Sequence, residues 1–173
     1  GETAQDITIT SYLEMIQGKT GALIAYATAV AAIITQKTHQ ERALLNAFGK
    51  NLGLAFQVQD DILGIWGDSE ITGKSSESDL MARKKTLPVL FGLQNCVEFR
   101  NLWAEGKITP EQVERMASLL ASCGAREFAS QKAQEYTGDA FKALETLFPN
   151  AYQGNQPAEA LFALSERLLG RSY

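Results

Sequence analysis

The 173 residues include two cysteines, one histidine and four prolines. Cys96 and Cys123 stand far apart in the sequence and in no paired motif, so no disulfide framework is implied and a reducing cytoplasm suits the chain. His39 is the sole imidazole, which nearly excludes a structural zinc site; a hard cation held by oxygen ligands is not excluded. Long apolar runs are also missing. The longest, Gly21 to Ile34 with Thr28 inside it, falls short of the ~20 residues that cross a bilayer. Basic charge is scarce: 16 Lys and Arg against 20 Asp and Glu give a net charge of −4, which argues against a general nucleic-acid binder. No signal-peptide pattern opens the chain. It begins Gly1-Glu2-Thr3 rather than with methionine, and a fragment or processed chain is expected.

What is present is globular. Apolar residues make up 45% and charged residues 21%, enough for one domain over residues 1–173 with its own core. The period is helical throughout. Ser11 with Glu14 reads as a capping box opening a helix toward Ile34, with Tyr12 on its apolar stripe and interruptions at Gly18 and Gly21. Each glycine costs about 1 kcal/mol against alanine, which suggests that something approaches the backbone there. A second long helix is expected from Gln40 to Trp66, ending at Gly67, followed by a polar loop to Ser78. Asp79 is expected to cap a helix carrying Arg83, Lys84 and Lys85, with a kink or break near Leu87 imposed by Pro88. Thr109-Pro110 with Gln112 is a start signal, and Gly124 a stop. Helices over 125–147 and from Pro157 to Leu169 complete an all-α chain without strand-period segments or repeats.

The chemistry centres on Phe56-Gln57-Val58-Gln59-Asp60-Asp61-Ile62-Leu63-Gly64. Residues three apart on a helix lie about 60° apart around the axis and about 4.5 Å along it, so Gln57, Asp60 and Asp61 can share one polar edge. A helical Asp-Asp pair is usually just a solvated edge; the apolar flanks weaken that reading here, because buried carboxylates need a partner or a metal. Downstream come Lys74, Arg83, Lys84 and Lys85, and upstream Lys19-Thr20. Singly, Lys84-Lys85 is a wet surface and Lys19 a snorkelling side chain. Together with the acids they form what a magnesium–diphosphate complex needs: carboxylates for the metal, lysines for the remaining phosphate charge. Two look-alikes weigh less. Gly73-Lys74-Ser75 mimics the end of a phosphate-binding P-loop, but Asp68 stands where glycine is required and a helix precedes the loop. Asp68 to Asp79 mimics a calcium loop, with Thr72 and Lys74 at ligand positions and Asp79 in place of the bidentate Glu.

Spaced blocks of the chain resemble the trans-type polyprenyl synthetases, the isoprenyl diphosphate synthases. They are Tyr12-Leu13-Glu14-Met15-Ile16 with Lys19-Thr20-Gly21-Ala22-Leu23; Gly53-Leu54-Ala55-Phe56-Gln57 running into Asp60-Asp61-Ile62-Leu63; Gly67-Asp68 and Thr72-Gly73-Lys74; Ser78-Asp79-Leu80 with Lys84-Lys85-Thr86-Leu87-Pro88; and the closing Leu168 to Tyr173. The match is best over residues 5–95. The resemblance implies an all-α isoprenoid-synthase-type bundle, of which this is the C-terminal part, and usually a homodimer. It implies Mg²⁺-assisted ionisation of an allylic diphosphate, condensation with isopentenyl diphosphate and release of pyrophosphate. By motif position, Asp60 would be a direct metal ligand, Asp61 and Asp79 ligands through water. Lys19, Lys74 and Lys84 would hold the diphosphate, with Thr20 in support and Gln57 orienting the acid edge. Two departures follow. The family's second aspartate-rich motif often ends in a third Asp, where this chain has Gly64. The first such motif, with the isopentenyl-diphosphate-binding Arg and Lys residues, is absent. The chain is therefore expected to be the inactive C-terminal half of a longer enzyme, or a non-catalytic partner subunit; a calcium-binding helix–loop–helix protein is the third reading.

Overall fold

Helix starts in this chain are written in short polar side chains. In the computed structural model, which describes residues 7–67, 78–149 and 154–169, Thr8 caps helix α1 (Ile9–Ile16). The Thr8 amide donates to Ser11 Oγ at 2.9 Å and the Ser11 amide to Thr8 Oγ1 at 3.1 Å. The box expected at Ser11 and Glu14 thus lies one turn earlier, with Ser11 as its inner member rather than its cap. The long first helix is also not uniform: Gln17–Gly21 is a π-helical turn between α1 and α2 (Ala22–Ile34). Helix α3 (His39–Trp66) opens on a second box, in which Glu41 Oε2 accepts from the Thr38 amide at 2.8 Å. It ends at Gly67, as its sequence predicts.

After residues 68–77, which include Lys74, the P-loop look-alike and all but the last two positions of the calcium-loop look-alike and lie outside the described residues, comes α4 (Ser78–Met81). Arg83, Lys84 and Lys85 are not helical, against expectation. The residue before a proline avoids helical backbone, but the break here falls earlier. Arg83 adopts φ 52°, and α5 (Leu87–Asn95) restarts with Pro88 in its first turn, where a missing N–H costs nothing. A break at Cys96 (φ −120°, ψ 105°) separates α5 from α6 (Val97–Ala104). Then follow α7 (Pro110–Ser122), α8 (Ala125–Leu147) and α9 (Gln156–Leu169). The predicted start of α7 is realised, with the Thr109 amide donating to Gln112 Oε1 at 3.0 Å. Gly124 at φ 84° provides the turn into α8. Among the described residues all regular structure is helical, and no helix is long and apolar enough to cross a membrane.

The helices form two compact units. One comprises residues 14–57 and 132–172; its core joins Phe48, Leu52 and Ala55 of α3 with Ala140 and Leu144 of α8 and Phe162 of α9. The Phe141 and Phe162 rings stack at 5.9 Å. Here α2 and α3 meet through small residues. A Cβ on Gly53 would lie 2.7 Å from Gly21 Cα and 3.0 Å from the Thr20 carbonyl oxygen, a backbone-to-backbone approach that only glycine permits. Gly21 thereby receives the neighbour its sequence implied, whereas a methyl group on Gly18 would meet nothing within 4 Å. The other unit comprises the described residues of 1–13 and 58–131. Its core gathers Ile65, Leu80, Val89, Phe99, Trp103, Val113, Met116 and Leu120.

Two predictions follow. Gly53→Ala should lower unfolding stability by about 1–3 kcal/mol through overpacking, while Gly18→Ala should raise it by about 0.5–1 kcal/mol; urea titrations compare them directly. Glu41 is held at about 2 instead of 4.5, chiefly by its hydrogen bond from Lys37 and then by those from Thr38. A lowered carboxylate contributes stability above its ordinary value that is lost as pH falls through the folded value. Glu41→Gln should therefore flatten the loss of thermal stability between pH 4.5 and about 2.

Candidate active site

The paired acids late in α3 have opposite environments, because consecutive residues point about 100° apart around a helix. Asp60 is exposed, whereas Asp61 is 3% exposed. Burying a carboxylate is costly unless donors replace its water. Two do so at Asp61 Oδ2: the Tyr12 hydroxyl of α1 and the Leu87 amide at the start of α5, the latter at 2.9 Å. Burial first, then the charge and hydrogen bond of Asp61 and the charges of Asp79 and Asp60, push the Tyr12 phenol far above its ordinary value of 10.0. Tyr12 therefore remains a donor throughout the usable pH range.

Asp79, on α4, is buried at 5% exposure and pairs with Lys84, whose side chain remains 59% exposed. The hydrogen bond to Asp79 chiefly raises the Lys84 ammonium above 10.5; burial opposes it, and the charges of Asp79, Asp60 and Asp61 add to it. The same three carboxylates thus act on both Tyr12 and Lys84. This places Asp60, Asp61, Asp79 and Lys84 in one electrostatic neighbourhood within a single compact unit.

Gly64 belongs to that neighbourhood. A Cβ there would stand 2.7 Å from Asp79 Cγ and 3.3 Å from Asp79 Cβ. The Asp79 carboxylate occupies the space that any side chain at 64 would need. In the other unit, Thr20 Oγ1 donates to Gln57 Oε1 at 3.1 Å, joining the π turn to α3. Lys19 is exposed in that turn. π turns often mark functional positions because they re-aim side chains. Lys74 is not among the described residues.

Tyr12 is the site residue that the apolar stripe conceals; a phenol on such a stripe is the available signal, since a buried Tyr hydroxyl seeks a partner. The Leu87 amide has no signal at all, because any residue other than proline supplies one. The donor set is oxygen-only and suits a hard cation. Among the described residues, however, no three His, Cys, Asp or Glu side chains form a metal-holding group. Asp61 and Asp79 are engaged with Tyr12, Leu87 and Lys84, and the described residues do not form a closed cage for a cation.

Gly64→Ala should lower unfolding stability by about 1–3 kcal/mol, the usual cost of overpacking. In an Asp79→Ala background the cost should shrink, because the displaced carboxylate is gone; a double-mutant cycle in urea measures the difference.

Known proteins carry the same arrangement of sequence. Residues 1–122 match the family model described as polyprenyl synthetase. The chain is 38% identical over 148 residues to a geranylgeranyl diphosphate synthase of Mycobacterium tuberculosis, a match covering 83% of this chain and 42% of that protein. It is 35% identical over 173 residues to an all-trans-nonaprenyl-diphosphate synthase (geranyl-diphosphate specific) of Rhodobacter capsulatus, covering 98% of this chain and 50% of that one. Its structure superposes on geranylgeranyl pyrophosphate synthetase from Pyrococcus horikoshii with a TM-score of 0.86 and 30% identity, over 99% of this chain and 52% of that one. The helices thus have the all-α isoprenoid-synthase fold. The chain spans about half the length of the curated relatives it matches. On the sequence match over residues 1–122 and the fold together, this chain belongs to the polyprenyl synthetase family.

Proposed function

We propose that the intact protein is a prenyltransferase that condenses isopentenyl diphosphate with an allylic diphosphate and releases pyrophosphate. One observation carries the reading: in a chain of this family, exposed Asp60 shares a neighbourhood with buried Asp61 and Asp79 and with the exposed ammonium of Lys84. Asp60 would hold Mg²⁺ directly, with Asp61 and Asp79 contributing through water; their other bonds suit that indirect role. Magnesium, when bound, would neutralise charge gathering on the departing diphosphate. Lys84 would add a fixed positive charge to the same oxygens. For Lys19, Thr20, Gln57 and Lys74 the proposed diphosphate contacts rest on motif position. The allylic C–O bond breaks with its electron pair leaving on the diphosphate. The double bond of isopentenyl diphosphate then attacks the cation, and loss of a proton restores a neutral chain.

The remaining half of the enzyme would supply the first aspartate-rich motif and the isopentenyl-diphosphate site. One surface favours such a partner segment. Helix α2 leaves Leu23 and Tyr26 71% exposed, Ile33 58% and Ile34 74%. This apolar face would be covered by the rest of the same polypeptide. A homodimer working in the cytoplasm completes the proposal; free Cys96 and Cys123 suit a reducing compartment.

The test is the intact gene product assayed with Mg²⁺, isopentenyl diphosphate and an allylic diphosphate. Elongation should occur, and Asp60→Ala should lower kcat by roughly 100-fold or more, the scale of losing one charge-stabilising group. An unchanged rate in that variant removes Asp60 from the site. An intact product that elongates nothing alone, yet activates a second synthase subunit, would replace this reading with the non-catalytic one.

A further inference from the structure

The turn between α4 and α5 holds a residue that diphosphate chemistry leaves unused. Arg83 adopts φ 52°, a region that side chains bearing a Cβ rarely occupy. Its other end is firmly committed. Nη2 donates to the Trp103 carbonyl at 2.7 Å, Nη1 donates to the Gly106 carbonyl, and the guanidinium carbon lies 4.6 Å from the centre of the Trp103 ring. The backbone is fixed on both sides as well: the Arg83 amide donates to Leu80 O and the Lys84 amide to Asp79 O, each at 2.9 Å. A guanidinium spent on two carbonyls and a ring is not aimed at an anion. What it secures is the direction in which the chain enters Lys84.

We propose that Arg83 is a positioning residue: by pinning the left-handed turn to the connection between α6 and α7, it holds the Lys84 ammonium against Asp79, ready for a diphosphate. The proposal rests on the reading of Lys84 as a diphosphate ligand. It requires arginine in particular. Only the planar guanidinium presents several donors in a fixed fork while stacking on an aromatic ring. Lysine would keep the charge and lose the clamp. Glycine would relax the backbone and lose it too.

The experiment compares the full chain with its Arg83→Gly, Arg83→Lys, Lys84→Ala and Arg83→Gly/Lys84→Ala variants. Calorimetry measures binding of inorganic pyrophosphate with Mg²⁺, and NMR measures the order parameter of the Lys84 side chain. Arg83→Gly should keep a thermal midpoint near that of the parent, since strain is lost with the clamp, yet bind pyrophosphate about 10-fold more weakly, the scale of misplacing one charge-assisted contact. Arg83→Lys should not restore binding. In both variants the Lys84 order parameter should fall toward values below about 0.6. Arg83→Gly should add nothing to Lys84→Ala, because the two act through one ammonium. A Lys84 side chain as ordered in Arg83→Gly as in the parent overturns the positioning role; so do additive losses in the double variant. If the parent binds no pyrophosphate, or Lys84→Ala leaves binding unchanged, Lys84 is not a diphosphate ligand, and the order parameter alone then decides whether Arg83 positions it.

Discussion

The buried carboxylate of Asp61 is the constraint on which the chemistry of its unit depends. A carboxyl group at 3% exposure carries a desolvation cost that hydrogen-bond partners must offset. Two donors to it come from different parts of the chain, a phenol on α1 and a backbone amide where α5 begins. Asp61 therefore ties three segments together at one oxygen. With α3 fixed in rotation by that bond, its neighbour Asp60 is turned outward. The paired acids thus differ in surroundings: Asp61 is buried among donors, and Asp60 faces solvent.

The charges around this point reinforce one another. Burial first and then three carboxylates raise Tyr12, and the same carboxylates, led by the hydrogen bond to Asp79, raise Lys84, so the phenol keeps its proton and the lysine keeps its charge. For Lys84 the sign is that of a raised cation: the pairing contributes fully below pH 10.5 and is lost only as pH rises through the higher folded value. Neutral pH lies well inside that window. The carboxylate partner is buried while the Lys84 side chain stays largely exposed.

Much of this is legible in the residues. Thr109, Pro110 and Gln112 mark the start of α7 because a cap, a proline and a reciprocal amide satisfy the first orphan donors together. The acids and Lys84 can be grouped because their spacing and charge suit a metal–diphosphate complex; Asp79 suits a cap by its position in the sequence and is instead the buried partner of Lys84. Three features lie beyond local reading. The break at Cys96 has neither glycine nor proline; its backbone turns extended, and its sulfur accepts from the Phe99 amide at 3.4 Å. The π turn at 17–21 accompanies the approach of Gly53 to Gly21, a contact between residues far apart in sequence. The positive φ of Arg83 is held by carbonyls about twenty positions downstream, so no pattern within the turn announces it.

Gly64 shows how a departure from a motif acquires meaning only in three dimensions. Read alone, it is a missing acid and a weaker metal site. In the fold, the space beside its Cα is filled by the Asp79 carboxylate, which also pairs with Lys84. A side chain at 64 and Asp79 in its present place exclude each other on steric grounds. The acid count at this edge is accordingly set by two segments jointly, one carboxylate arriving from α4 at the point where Gly64 of α3 contributes none. Gly64, Asp79 and Lys84 form one interlocked group, because moving any of them changes the space or charge available to the other two.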